Sequence, residues 1–206
     1  MAKQIEGVYE RILACAEQEF LDKGYTDASL RAIAAAANTS TNSIYVRFHD
    51  KEGLFCAIVE PVVSGMTEMF LRIQEDFHQK DSSAQQAEMV DYAGQGMETL
   101  IDYLYDHLAA FRLLLDASYG TRFHNFVDEL VRIEVEYTYK YMEAVGYPAQ
   151  MGDAATETVL HMVTTAYFEG LFEVVRHGMS REDAKKYIDL LGRYHHSGFA
   201  AIFPGM

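Results

Sequence analysis

Thr41, Asn42 and Ser43 open a short helical pattern, and Tyr45 and Arg47 follow within its next turn. An asparagine carboxamide can pair with adenine, and threonine and serine hydroxyls reach base edges or phosphate oxygens. A phenol and a guanidinium suit phosphate contact. Ile44 and Phe48, four residues apart, turn an apolar face the other way. Lys51 adds an ammonium beside the first amides of the next helix, where anions are favoured. A helix with these side chains on its N-terminal, outward face is suited to lie in the major groove of a duplex. A small helical hairpin with an ordinary polar face is the alternative reading of the same spacing.

Other chemistries find less support. Cys15 and Cys56 lack metal-ligand spacing, sit in apolar helical patterns and read as buried thiols. The eight histidines show no metal pattern. His195 and His196 are helix neighbours that point apart, and Glu134 and Glu136 diverge likewise. No glycine-rich phosphate loop and no serine or cysteine nucleophile motif is present. The expectation is a chain that is not an enzyme, with no cofactor and no metal.

The elements that position this chemistry are helical. Half of the 206 residues are hydrophobic, prolines number 3, and runs of β-branched residues are few, so an all-α chain is expected. Ile5, Val8, Tyr9, Ile12, Ala16 and Phe20 recur at helical spacing, predicting a helix over about 3–23 that stops at Gly24. Ser29 caps a second helix to about Ala36, and Asn38 suits a left-handed turn. Thr39 or Ser40 caps a third helix through Phe48. Asp50 caps a fourth, which Pro61 is expected to kink or interrupt. Further helices are predicted near 63–79, 84–107, 109–117, 122–145, 153–177 and 181–202, with short loops such as Gly146-Tyr147-Pro148 between them. The architecture is a three-helix head over residues 1–50 and a larger helical domain over 51–206, about nine helices in all.

Two short helices joined by a tight turn make a helix-turn-helix pattern. The residues around it carry more information. Gly24-Tyr25, Ile33-Ala34, Ile44-Tyr45, Phe48 and Lys51-Glu52-Gly53-Leu54, in this order, resemble the TetR family of bacterial repressors over about positions 5 to 58. The resemblance implies that Arg31, Thr41 and Asn42 contact bases and that Tyr45 sits at the boundary of base and backbone. It implies that Ser29, Ser43, Arg47 and Lys51 hold phosphates. The chain departs from the family pattern at Asn38 and Asn42, where glycines are usual, at Thr39 for valine, at Ala28 for threonine, and at Val46-Arg47.

The resemblance further implies a homodimer on a palindromic double-stranded DNA operator, released by a small-molecule effector. The last two helices then form the dimer interface, through Phe168, Leu171, Val175, Tyr187, Leu191, Tyr194 and Phe199; an ordinary internal core is the alternative. The middle helices enclose the effector, with Tyr92, Met97, Tyr103, His107, Phe111, Asp116, Phe123, Tyr137, His161 and Thr165 as candidate lining. For each of these, plain packing is the competing reading.

The net charge of −14 argues against indiscriminate binding to nucleic acid. Residues 1–55 hold six Lys/Arg and eight Asp/Glu, a balance of −2, so the acidity lies in the remainder. That acidity hints at a cationic effector held by aromatics and a carboxylate, but a solvated acidic face that keeps the protein soluble is the stronger reading. Early glutamates argue against a signal peptide, and the sequence reads as having no membrane-length apolar run. The expected location is the cytoplasm. A helical sensor whose acidic head no longer holds DNA is the rival function.

Overall fold

The computed structural model describes residues 2–147 and 154–203, without the side chains of residues 2–6, 154 and 155. Pro148, Asp153 and the side chain of Lys3 lie outside the described residues. Among the described residues the fold is all-helical, with nine helices: α1 Ala2–Asp27, α2 Leu30–Ala36, α3 Thr41–Phe48, α4 Lys51–His78, α5 Ser82–Asp106, α6 Leu108–Asp116, α7 Phe126–Ala144, α8 Ala154–Arg176 and α9 Arg181–Ile202.

Local chemistry sets the early boundaries. Gly24 takes a left-handed backbone angle inside the last turns of α1, a conformation that glycine adopts without a Cβ penalty. The hydroxyl of Ser29 accepts the Ala32 amide and that of Ser40 accepts the Ser43 amide, capping α2 and α3. Asn38 turns the chain with a positive φ of 51°. The Asp50 carboxylate accepts the Gly53 amide at 2.7 Å at the start of α4. A Cβ on Gly53 would run into the carbonyl oxygen of Phe48, so the α3–α4 corner requires glycine. Pro61 does not end α4, which is helical on both sides of it.

The helices form two compact units. The first contains residues 1–65 and 107–126: α1 to α3, the first part of α4, and α6 with the loop after it. Ile12, Phe20, Ile33, Ile44, Phe55 and Phe111 are buried in it. Among the described residues the second contains 66–106, 127–147 and 154–203. There α9 packs on α5 and α8, and Phe70 meets Phe168 edge to face at 5.6 Å.

By length and composition α4 is apolar enough to cross a membrane, which corrects the reading that no segment is. Its apolar residues recur at helical spacing, and Leu54, Phe55, Val59, Val62, Met66 and Phe70 are buried within the chain. These side chains therefore serve as core.

Candidate nucleic-acid interface and buried cavity

The helix-turn-helix holds α3 by two anchors. Ile44 and Phe48 are buried, and the Phe48 ring stacks on Tyr9 at 5.3 Å. Because these anchors point inward, the opposite face of α3 points to solvent. Asn42 is exposed, Thr41 and Ser43 half-buried, and Tyr45 is 51% and Val46 69% exposed. Val46 was not among the residues singled out from the sequence. The signal was its place four residues after Asn42, on the same side of the helix.

The cations are less free than their sequence positions suggest. Arg47 is half-buried and folds back on its own helix, with Nη1 donating to the Ser43 hydroxyl at 2.6 Å and the Ser43 carbonyl at 3.1 Å. The Lys51 ammonium donates to the carbonyls of Thr26 at 2.9 Å and Ala28 at 3.1 Å, and lies 4.8 Å from the centre of the Tyr25 ring. Lys51 thus closes the corner between α1 and α2, with two of its three donors engaged. Ser29 is equally engaged: its hydroxyl caps α2 and its amide donates to Glu19 at 3.1 Å. Arg31 is exposed and makes no hydrogen bond or ion pair among the described residues. The outward set is therefore Arg31, Thr41, Asn42, Tyr45 and Val46.

The second unit holds a partly open cavity of about 400 Å³. Of the candidates drawn from the sequence, Tyr92, Met97 and Tyr137 line it. Tyr103, His161 and Thr165 belong to the same unit but not to the lining. His107, Phe111, Asp116 and Phe123 belong to the first unit, so they correct the expectation of one pocket on the middle helices. Phe111 is part of the first unit's own core. The packing of α6 on α1 takes these residues there.

The cavity also contains groups the sequence did not single out. Leu130, Glu134, Tyr137 and Tyr141 are spaced four, three and four residues apart on α7, which places a carboxylate in an apolar stripe. That spacing was the available signal. Glu134 is half-buried and lines the cavity. Desolvation pushes its pKa up to about 7, against the opposing hydrogen bond from Gln74 Nε2 at 2.6 Å. Burial, and secondarily the Glu134 charge, raises the Tyr167 phenol. The His195 ring stacks on Tyr167 at 4.3 Å, and desolvation holds its pKa below the ordinary value. Glu136, by contrast, pairs with Arg132 and Lys140 at the surface.

Phe168, Leu171 and Val175 are closed inside the chain and have no surface left for a partner, a correction to their expected place at a dimer interface. Gly170 explains this: its Cα approaches Leu191 so closely that α8 and α9 interdigitate within the chain. Tyr187, Leu191 and Phe199 are half-buried, whereas Tyr194 is 79%, Met162 63% and Leu190 60% exposed.

Residues 12–58 match the family model described as bacterial regulatory proteins, tetR family. Among curated proteins none matches the sequence. The fold is shared with SmeT, the repressor of the Stenotrophomonas maltophilia multidrug efflux pump SmeDEF, at 18% identity over 92% of this chain and 89% of that one, with a TM-score of 0.64. A TetR-like transcriptional regulator from Rhodococcus sp. RHA1 is similar at 19% identity over 94% and 96% of the two chains, with a TM-score of 0.62. The fatty acid degradation regulator FadR from Bacillus halodurans is similar at 16% identity over 91% and 94%, with a TM-score of 0.60. These likenesses establish the all-helical fold, and the match over residues 12–58 covers the helix-turn-helix. Residues 12–58 thus carry the segment that the tetR family of bacterial regulatory proteins shares, and the rest of the chain shares the fold of the regulators named above.

Proposed function

We propose that the chain is a cytoplasmic, ligand-responsive transcriptional repressor that binds a palindromic operator as a homodimer and is released by a small molecule. The observation that carries the reading is α3 itself: an N-capped helix whose buried Ile44 and Phe48 turn Asn42, Tyr45 and Val46 outward. Residues 1–50 then act as the DNA-binding domain, with Thr41 and Asn42 on base edges, Arg31 and Tyr45 beside them, and Ser43 and Arg47 toward the backbone. Ser29 and Lys51 serve chiefly by holding the corner that presents α2 and α3.

Residues 51–206 provide effector binding and dimerisation. The second copy is proposed to dock on the exposed apolar residues of α8 and α9, Met162, Leu190 and Tyr194, together with Tyr187, Leu191 and Phe199. The effector is proposed to occupy the cavity lined by Tyr92, Met97 and Tyr137, which is within the size range of small-molecule sites. Helix α4 begins in the first unit and ends in the second, and is the proposed link between effector and head. An effector releases DNA only to the extent that it binds the released state more tightly.

Selection of bound duplexes from a random pool tests this reading. A palindrome with half-sites one helical turn apart is the expected outcome. A folded dimer that enriches nothing at low salt overturns it in favour of a sensor whose head does not hold DNA. The engagement of Lys51 and Arg47 is the observation on that rival's side.

A further inference from the structure

The cavity's polar content narrows the chemistry of its ligand, given the reading of that cavity as an effector site. We infer that the effector is a lipophilic organic cation whose charge pairs with the Glu134 carboxylate while its apolar body fills the aromatic cavity. The argument begins with what surrounds the acid. Gln74 is its hydrogen-bond partner among the described residues, and no cationic side chain acts on it strongly enough to favour its ionised form. A carboxylate in apolar surroundings with a single amide donor is under-compensated. A ligand cation supplies the missing counter-charge, whereas a ligand anion adds repulsion.

The groups facing the cavity from each helix do not supply that counter-charge. From α4, the ring nitrogens of His78 lie against the backbone carbonyls of Gln74 at 2.8 Å and Tyr137 at 3.1 Å, and neither is bonded to Glu134. From α9, the Lys185 ammonium is committed to Asp102 at 2.8 Å, Arg193 is exposed to solvent, and His195 is held toward its neutral form, with His196 beside it. From α5, Glu98 adds a second carboxylate to the lining. Tyr141 on α7 and Tyr167 on α8 both resist ionisation because they are desolvated. The formal charge balance of the inner wall is therefore that of an acid.

The aromatic lining fits the same class. Tyr92 and Tyr137 each already hold a lysine ammonium over the ring, Lys80 at 5.5 Å and Lys140 at 3.9 Å. Both tyrosines also line the cavity, and aromatic faces in a cavity attract organic cations. Phe70, Phe77 and Phe199 supply apolar area around them.

Binding a permanent cation draws Glu134 into its ionised form, so the proton leaves the carboxyl for solvent. With a carboxyl titrating at about 7, the apparent affinity for such a cation rises about tenfold between pH 6 and pH 8, and about half a proton is released per ligand at pH 7. Three aryl probes test this: the isosteric ions tetraphenylphosphonium and tetraphenylborate, and the smaller neutral triphenylphosphine oxide, titrated calorimetrically at pH 6, 7 and 8 in two buffers. We expect the phosphonium to show the pH rise and the proton release. In Glu134→Gln we expect both signatures to vanish, and the ratio of phosphonium to borate affinity at pH 8 to fall at least tenfold. Phosphonium binding that is independent of pH and releases no proton overturns the inference without needing any variant. So does an unchanged ratio in a folded, DNA-binding Glu134→Gln. If the neutral probe binds and releases DNA while the phosphonium does not, the ligand class is wrong and the effector site stands. If none of the three binds, the effector reading of this cavity falls with it.

Discussion

The outer face of α3 and the inner wall of the cavity handle charge in opposite ways. On the head, the positive groups that a nucleic-acid surface needs are largely turned to structural use. Lys51 closes the α1–α2 corner, Arg47 clasps Ser43, and Arg31 alone of the three is uncommitted. In the cavity a negative group is kept without a charged partner, in an environment that does not suit it. A well-satisfied charge stabilises a fold. An unsatisfied one marks a place where something else is meant to bind.

The largest expected effect bears on the anchors of α3. Ile44→Ala removes a fully buried side chain that holds the helix to the head. A loss of about 3 kcal/mol in unfolding free energy is expected, read by urea denaturation. A loss near zero would mean that α3 is not held by its inner face and that its outward display is not fixed.

The next effect sharpens the contrast from the cavity side. The ordinary glutamate value is 4.5, and that of Glu134 in the folded chain is about 7. A raised acid favours folding fully below its ordinary value, and the advantage is lost as pH rises through the folded value. Glu134→Gln removes this penalty. The variant should therefore exceed the parent in stability by about 3 kcal/mol at pH 8 and match it within about 0.5 kcal/mol at pH 4. Parallel stability profiles for the two proteins would remove the unsatisfied charge from the comparison.

A smaller pair of effects separates the two kinds of cation on the head. Arg31→Ala should weaken DNA binding and reduce the slope of log affinity against log salt by about 1. Lys51→Met should leave that slope nearly unchanged and lower stability by about 1 kcal/mol, through two lost hydrogen bonds to carbonyls. Equal salt slopes for both variants would return Lys51 to the phosphate-binding set.

What was legible in the sequence was local. Ser29, Asn38, Ser40 and Asp50 act on residues within four positions of themselves, so α2, α3 and the start of α4 could be bounded from composition and spacing alone, whereas α1 runs past Gly24 to Asp27. Pro61 does not interrupt α4, so the separate helix read near 63–79 is the second part of α4. The second unit was legible as helices but not as a site. That Glu134 faces a cavity depends on how α4, α8 and α9 meet α7, at sequence separations no local pattern reports. The same holds for Phe168, Leu171 and Val175. Their apolar stripe is identical whether it meets α9 of its own chain or a second copy, and only the close approach at Gly170 assigns it.

The measurement that bears most directly on the central claim is a repeat of the duplex selection with Asn42→Ala beside the parent protein. Asn42 is exposed at the first turn of α3, and a bidentate side-chain contact of this kind discriminates bases by about 1–3 kcal/mol. The account predicts that the variant enriches the same palindrome with the same half-site spacing, relaxed at one position in each half. An unchanged motif at every position would contradict it, because the outward face of α3 would then not be what reads the DNA.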